Sequence, residues 1–175
     1  MILPIVTYGD PILRKKCNNV KEITENIIIL INDMFDTLKN TGGVGLSANQ
    51  VNIPLNIFIV NYEYNDDFIS KVFINPNIIE YSDDKQISKE GCLSFPSLYD
   101  DVSRSSSIKI EYQDIDFNNK VDHYSGDIAR IIQHEYDHLK GVLFIDKINP
   151  LKRKIISSKL KSILKKKIHT NYLIK

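Results

Sequence analysis

The sequence predicts an α+β fold, with mixed or antiparallel sheets packed around a central helix and a further helix at the C-terminus. Three observations carry that expectation. Some segments show helical apolar spacing, others are rich in Ile, Val, Phe and Tyr, and the two kinds do not alternate in a regular strand–helix–strand rhythm. At 175 residues the chain is long enough to bury a sizeable core, and nothing in it resembles a linker or a repeat. Hydrophobic content of 42% and charge of 26% are ordinary for a soluble globular protein.

The elements follow in chain order. After an extended N-terminal arm, Thr24 is placed to cap a helix running to about Asn40. Ile27, Leu30, Ile31, Met34, Phe35 and Leu38 give it one apolar stripe, which is core by default, and Gly42 stops it. Segments 55–62, 72–81 and 108–113 have strand composition. Ser125 is expected to cap a second helix, which Gly141 ends. Beyond Pro150, Ile156, Leu160, Ile163, Leu164 and Ile168 recur at helical spacing with lysines on the other side.

The second helix carries the chemistry, in His134-Glu135-Tyr136-Asp137-His138. Residues four apart share a helical face, so both imidazoles can reach one ion. Glu135, beside the first ligand, is placed to take a proton from water activated by that ion. The bland alternative is a surface helix with two histidines. Zinc proteases take a third ligand from a downstream Glu or His, but no Glu follows Glu135 and Phe144 stands where the histidine would be. The third ligand must then come from elsewhere, among Cys17, Cys92, His123 and His169.

Cys92 is the best candidate, in Glu90-Gly91-Cys92-Leu93-Ser94-Phe95-Pro96. A glycine before it lets the backbone approach closely. Two imidazoles and one thiolate suit a catalytic divalent ion and leave a position open. Its alternative is a buried apolar cysteine. Cys17 lies in a polar run and has no such context. A third segment, Gly43-Val44-Gly45-Leu46-Ser47-Ala48-Asn49-Gln50, is Gly-rich but lacks the Lys-Ser or Lys-Thr of a phosphate loop.

Taken together, GVGLSANQ, EGCLSFP and QHEYDHLKG resemble, in order, the three motifs of the peptide deformylases. The start, Tyr8-Gly9-Asp10-Pro11-Ile12-Leu13-Arg14, is similar to that family too, and the resemblance runs to about Pro150. It implies hydrolysis of the N-formyl group from N-formylmethionine of nascent polypeptides, releasing formate. It also implies that Cys92, His134 and His138 hold one divalent metal, generally ferrous in the family, with Zn²⁺, Ni²⁺ or Co²⁺ suited to the same donors. Glu135 would be general base and then general acid. The Leu93 amide and the Gln50 side chain would hold the oxyanion. The Gly45 backbone would pair with the substrate chain, and Ile131 would line the methionine pocket. On this reading 1–150 form the catalytic domain, and 151–175 are a basic amphipathic helix or tail of the same domain.

Three positions depart from the family pattern. Ser47 stands where alanine is usual, a change expected to preserve the turn. Phe95 replaces a common branched aliphatic. Arg130, four residues before His134, is expected to lay its stem along the methionine pocket with its head in water. Other amidases or metallopeptidases, or a ribosome-associated binding protein with a structural metal, are the competing functions.

Charge is informative only when divided. The chain is +1 overall, yet nine Lys or Arg and no acidic residue lie from Pro150 on. The rest then holds 14 basic and 22 acidic residues, a net of −8. The basic face of the tail is either a solvated helix surface or a contact for ribosomal phosphates, with a membrane-surface helix as a third reading. No feature suggests specific DNA. No apolar run reaches the ~20 residues of a membrane span. The N-terminus is too soon polar for a secretory signal, and two unpaired-looking cysteines fit a reducing cytosol. A cytoplasmic enzyme is therefore expected, or an organellar one after processing.

Overall fold

The computed structural model of the chain describes residues 1–65 and 67–175. Among these residues, seven strands and four α-helices follow in the order α1 (Glu25–Thr41), β1 (Gly45–Ser47), β2 (Ile57–Tyr64), β3 (Asp67–Tyr81), β4 (Lys85–Cys92), β5 (Phe95–Ser105), β6 (Ser107–Gln113), β7 (Asn119–Ser125), α2 (Gly126–Leu139), α3 (Pro150–Ile155) and α4 (Ser157–Leu164). The strands form a five-stranded sheet, β1-β2-β3-β6-β7, and a two-stranded ribbon, β4-β5. Every strand pair is antiparallel. The fold is α+β, with α2 packed against β1, β2, β5 and β7.

Strand β2 shows how sequence alternation builds two cores. Ile57 and Ile59 face one side, where Leu30, Ile31, Met34 and Leu38 of α1 cover them. Phe58 and Val60 face the other, packed with Phe73, Ile110 and with Ala129 and Ile132 of α2. A strand covered on both faces has no polar register, which is why 57–60 reads as a continuous apolar run. A third cluster joins the N-terminal arm, the β4–β5 ribbon and the C-terminal helices through Val6, Leu13, Phe95, Val102, Phe144, Leu160 and Ile163.

The expected capping of α1 is present: Thr24 Oγ1 accepts from Ile27 N, and Gly42 closes the helix at φ 69°. Ser125 occupies the cap position of α2, but its side chain makes no capping hydrogen bond. Gly126 N instead donates to Ser106 O, at 2.9 Å. Gly141, at φ 74°, ends α2 as expected, and a Cβ there would strike the Arg14 carbonyl. The expected C-terminal helix is broken at Ile156 into α3 and α4. Its aliphatic face packs through Ile156, Leu160, Ile163 and Ile168, whereas Leu164 is 55% exposed. Among the described residues, no helix is long and apolar enough to cross a membrane.

Candidate active site

Helix α2 is buried through its centre, and it carries His134, Glu135 and His138 into the interior, at 8%, 4% and 1% exposure. The ribbon brings Cys92 to them at the end of β4, where the register shifts after Gly91. The ligand atoms of Cys92, His134 and His138 lie within 4.8 Å of one another. Cys92 Sγ is 3.2 Å from His138 Nε2, and the two rings stand 5.1 Å apart, edge to face. Cys17, by contrast, is buried elsewhere, and burial pushes its thiol up to about 11.

The donor set suits a divalent ion. His134 Nδ1 meets Glu90 Oε2 at 3.0 Å, which turns Nε2 toward the trio. Burial acts against a charged His134, but the Cys92 sulfur and Glu90 outweigh it and raise the ring to about 10. Burial and the neighbouring His134 hold His138 well below the ordinary histidine value, so that ring keeps a free lone pair. Two nitrogen donors and one sulfur are what a catalytic transition-metal site with an open position uses.

Glu135 lies beside this centre. Burial raises its carboxyl above the ordinary range, against the opposing pull of His134 and of a 2.7 Å hydrogen bond from Ser47 Oγ. Ser47 therefore does more than preserve a turn. Its backbone N–H also donates to Gln50 Oε1 at 3.0 Å. With its oxygen held, Gln50 directs Nε2 toward Ser94 Oγ at 3.2 Å and Cys92 Sγ at 3.4 Å.

A cleft of about 500 Å³ opens over this group. Gly45, Gln50, Cys92, Leu93, Ile131, His134 and Glu135 all line it, whereas the buried His138 does not. A Cβ on Gly45 would come within 2.6 Å of Glu135 Oε1, so only glycine lets this edge of the sheet approach the carboxylate.

Arg130 corrects an expectation. It lines the cleft, but its head is not in water: it is buried and donates to Glu90 Oε1 at 2.7 Å, Val102 O at 2.9 Å and Gln86 O at 2.6 Å. A guanidinium on the inner face of a central helix finds a buried carboxylate more favourable than a path to solvent.

Glu90 is the residue whose part the sequence reading missed. It takes Arg104 in a two-pronged bond at 2.6 and 2.9 Å, as well as Arg130 and His134. Burial alone would raise its pKa, yet His134 and Arg104 hold the carboxyl far below the usual range. The available signal was its position two before Cys92, on the same face of a strand. Arg104, 12 residues after Cys92 in sequence and joined also to Asp137 at 2.7 Å, gave no such signal.

The family profile described as polypeptide deformylase matches residues 2–154. The chain belongs to the peptide deformylase family. It is 44% identical to the peptide deformylase of Christiangramia forsetii, with 98% of this chain and 94% of that one covered. Among solved structures, an Arabidopsis thaliana peptide deformylase in complex with an inhibitor superposes with a TM-score of 0.88. It is 40% identical, with 94% of this chain and 92% of that one covered. A Plasmodium falciparum peptide deformylase, also bound to an inhibitor, gives 0.84 at 40% identity, covering 92% of this chain and 99% of that one. Peptide deformylases are metal-dependent hydrolases that deformylate nascent peptides, and the chain is a hydrolase of this family.

Proposed function

We propose that this chain removes the formyl group of N-formylmethionyl peptides with Cys92, His134 and His138 as the ligands of one divalent ion, Fe²⁺ by preference. Zn²⁺, Ni²⁺ and Co²⁺ suit the same donors. The observation that carries the reading is the sulfur–imidazole trio, within 4.8 Å, beside a buried carboxyl that lines the same cleft. When bound, the ion supplies a Lewis acid that polarises the formyl carbonyl and makes water acidic enough to attack near neutral pH.

The chain's own groups do the rest. Glu135 takes a proton from the attacking water and returns it to the departing amine, so formate and a free α-amine leave. A raised carboxyl pKa fits that double duty, because the group must both accept and release a proton near neutral pH. The Leu93 N–H and the Gln50 amide stabilise the oxyanion, a kind of donor whose loss costs on the order of 10²–10³ in rate in other hydrolases. Gly45 offers main-chain pairing to the peptide, and Ile131 receives the methionine side chain. Arg130 backs that pocket through Glu90 rather than through solvent.

The reading is tested by formate release from a formyl-Met peptide, using protein purified without oxygen and assayed for metal on the same sample. Turnover with about one Fe²⁺ per chain is expected. A fully loaded protein that releases no formate, even after exchange for Ni²⁺ or Co²⁺, would favour the binding-protein alternative. The cytoplasm is where we place this chemistry. The lysine-rich face of α3 and α4 suits ribosomal phosphate, and a steep fall of ribosome affinity with salt is the expected sign of that contact.

A further inference from the structure

Leu93 and Ser94 form the turn that joins β4 to β5 across the Cys92–Phe95 pair. A two-residue turn beside a ligand is a poor place for a catalytic amide unless something fixes its peptide planes. The Ser94 end is fixed twice: its carbonyl accepts from Tyr8 N at 2.9 Å and its hydroxyl from Gln50 Nε2. The Leu93 end is fixed from the far end of the chain. Tyr172 Oη donates to Leu93 O at 2.7 Å, across 79 residues of sequence.

Tyr172 is itself held on its C-terminal side. Ile5 N donates to Leu173 O at 2.8 Å and Lys175 N to Ile5 O at 2.9 Å, around a bridge between Ile5 and Ile174. On its N-terminal side, Thr170 Oγ1 donates to Tyr172 O at 2.7 Å. The phenol ring packs with Leu93 against the core that α1 covers. Residues His169 to Tyr172 line the cleft. The C-terminal segment is thus a wall of the site, latched to the turn that follows Cys92.

We propose that Tyr172 is a positioning residue for the oxyanion donor: its hydroxyl fixes the Leu93–Ser94 peptide plane, which abuts the Cys92–Leu93 plane that carries the Leu93 N–H, and so limits how far that N–H can turn. The proposal rests on the deformylase reading above for its consequence in rate, but not for the geometry it asserts. A positioning bond of this kind acts on the transition state more than on the bound substrate, because the charge it helps to hold develops only during attack.

The test is Tyr172→Phe, which removes one oxygen and keeps the ring that packs. On a formyl-Met peptide, kcat is expected to fall about tenfold, less than for outright loss of a donor. KM should stay within about twofold, and metal content should match the parent. In ¹⁵N-leucine-labelled protein the Leu93 amide resonance should shift and its hydrogen exchange quicken. An unchanged kcat, a loss seen only in melting temperature, or an unmoved Leu93 amide would each overturn the proposal. If the metal-loaded parent itself released no formate, the functional reading would fail, and the Leu93 amide would still decide whether the latch exists.

Discussion

Ser47 and Glu135, 88 residues apart in sequence, are joined by a 2.7 Å hydrogen bond from Ser47 Oγ to Glu135 Oε2. Edge strand β1, to which the proposed mechanism assigns substrate pairing, is thus tied to the carboxylate to which it assigns the proton transfer. Ser47 is fully buried, so water does not readily replace its hydroxyl. Ser47→Ala should lower kcat by up to about tenfold, the worth of one ordinary hydrogen bond, while metal content and KM hold. Steady-state kinetics check this, and an unaltered kcat would show that Glu135 is oriented by burial alone.

Glu135→Gln keeps the shape and the contact with Ser47 but removes the base. It should retain the metal and lose turnover by on the order of 10²-fold or more. Metal analysis beside single-turnover kinetics separates the two effects. A near-normal rate would mean that another group moves the proton.

Glu90→Gln should harm both stability and the metal site. The change leaves Arg104 and Arg130 buried without their shared carboxylate, a kind of loss that costs about 3–5 kcal/mol. At about 2–4 °C per kcal/mol for a chain of this size, the melting temperature should fall by roughly 10 °C. The orientation of His134 is lost as well, and metal affinity should drop about 10–100-fold. Thermal melts and a competitive metal titration measure the two. Loss of stability with undiminished metal affinity would confine Glu90 to a structural part.

A carboxylate–phenol cluster far from the site sets a pH window for stability. Asp122 accepts from Tyr112 Oη at 2.7 Å, Tyr124 Oη at 2.9 Å and Lys71 Nζ at 2.9 Å. Burial works against ionised Asp122, but these donors win and its pKa lies below the ordinary 3.8. Its contribution is therefore complete above 3.8 and fades as pH falls through the lower folded value. The two phenols are raised above 10.0, first by burial and then by Asp122. Their contribution is complete below 10.0 and is lost as pH climbs through the raised folded values. Urea midpoints across pH should form a plateau with both limbs, and Asp122→Asn should flatten the acid one. Identical acid limbs in the two proteins would place that transition elsewhere.

The helices were legible because their signals are local. Thr24, the stripe from Ile27 to Leu38 and Gly42 fix α1 without reference to anything distant. The spacing of His134 and His138 likewise places two rings on one face. Strands β4 and β7 were not legible: Lys85–Cys92 is exposed over its first five residues, so no alternation marks it. Asn119–Ser125 is an edge strand with no fully buried residue. Their existence depends on partners, Phe95–Ser105 and Ser107–Gln113, that only folding supplies. Arg130 was misjudged for the same reason, since its stem and spacing are visible in sequence but Glu90, 40 residues away, is not.

By itself, the sequence determined the family, and through that resemblance it pointed to Cys92, His134 and His138 as a trio with Glu135 beside it, because short motifs keep their residue order and spacing. The tertiary structure alone decided what holds those groups still. Glu90 fixes His134, Ser47 orients Glu135, Asn49 Nδ2 clamps the His138 carbonyl at 2.7 Å, and Tyr172 reaches Leu93 from the far end of the chain. Motifs are short-range features of a chain. Their supports are made between segments that meet only once the core has closed, and no local pattern records that meeting.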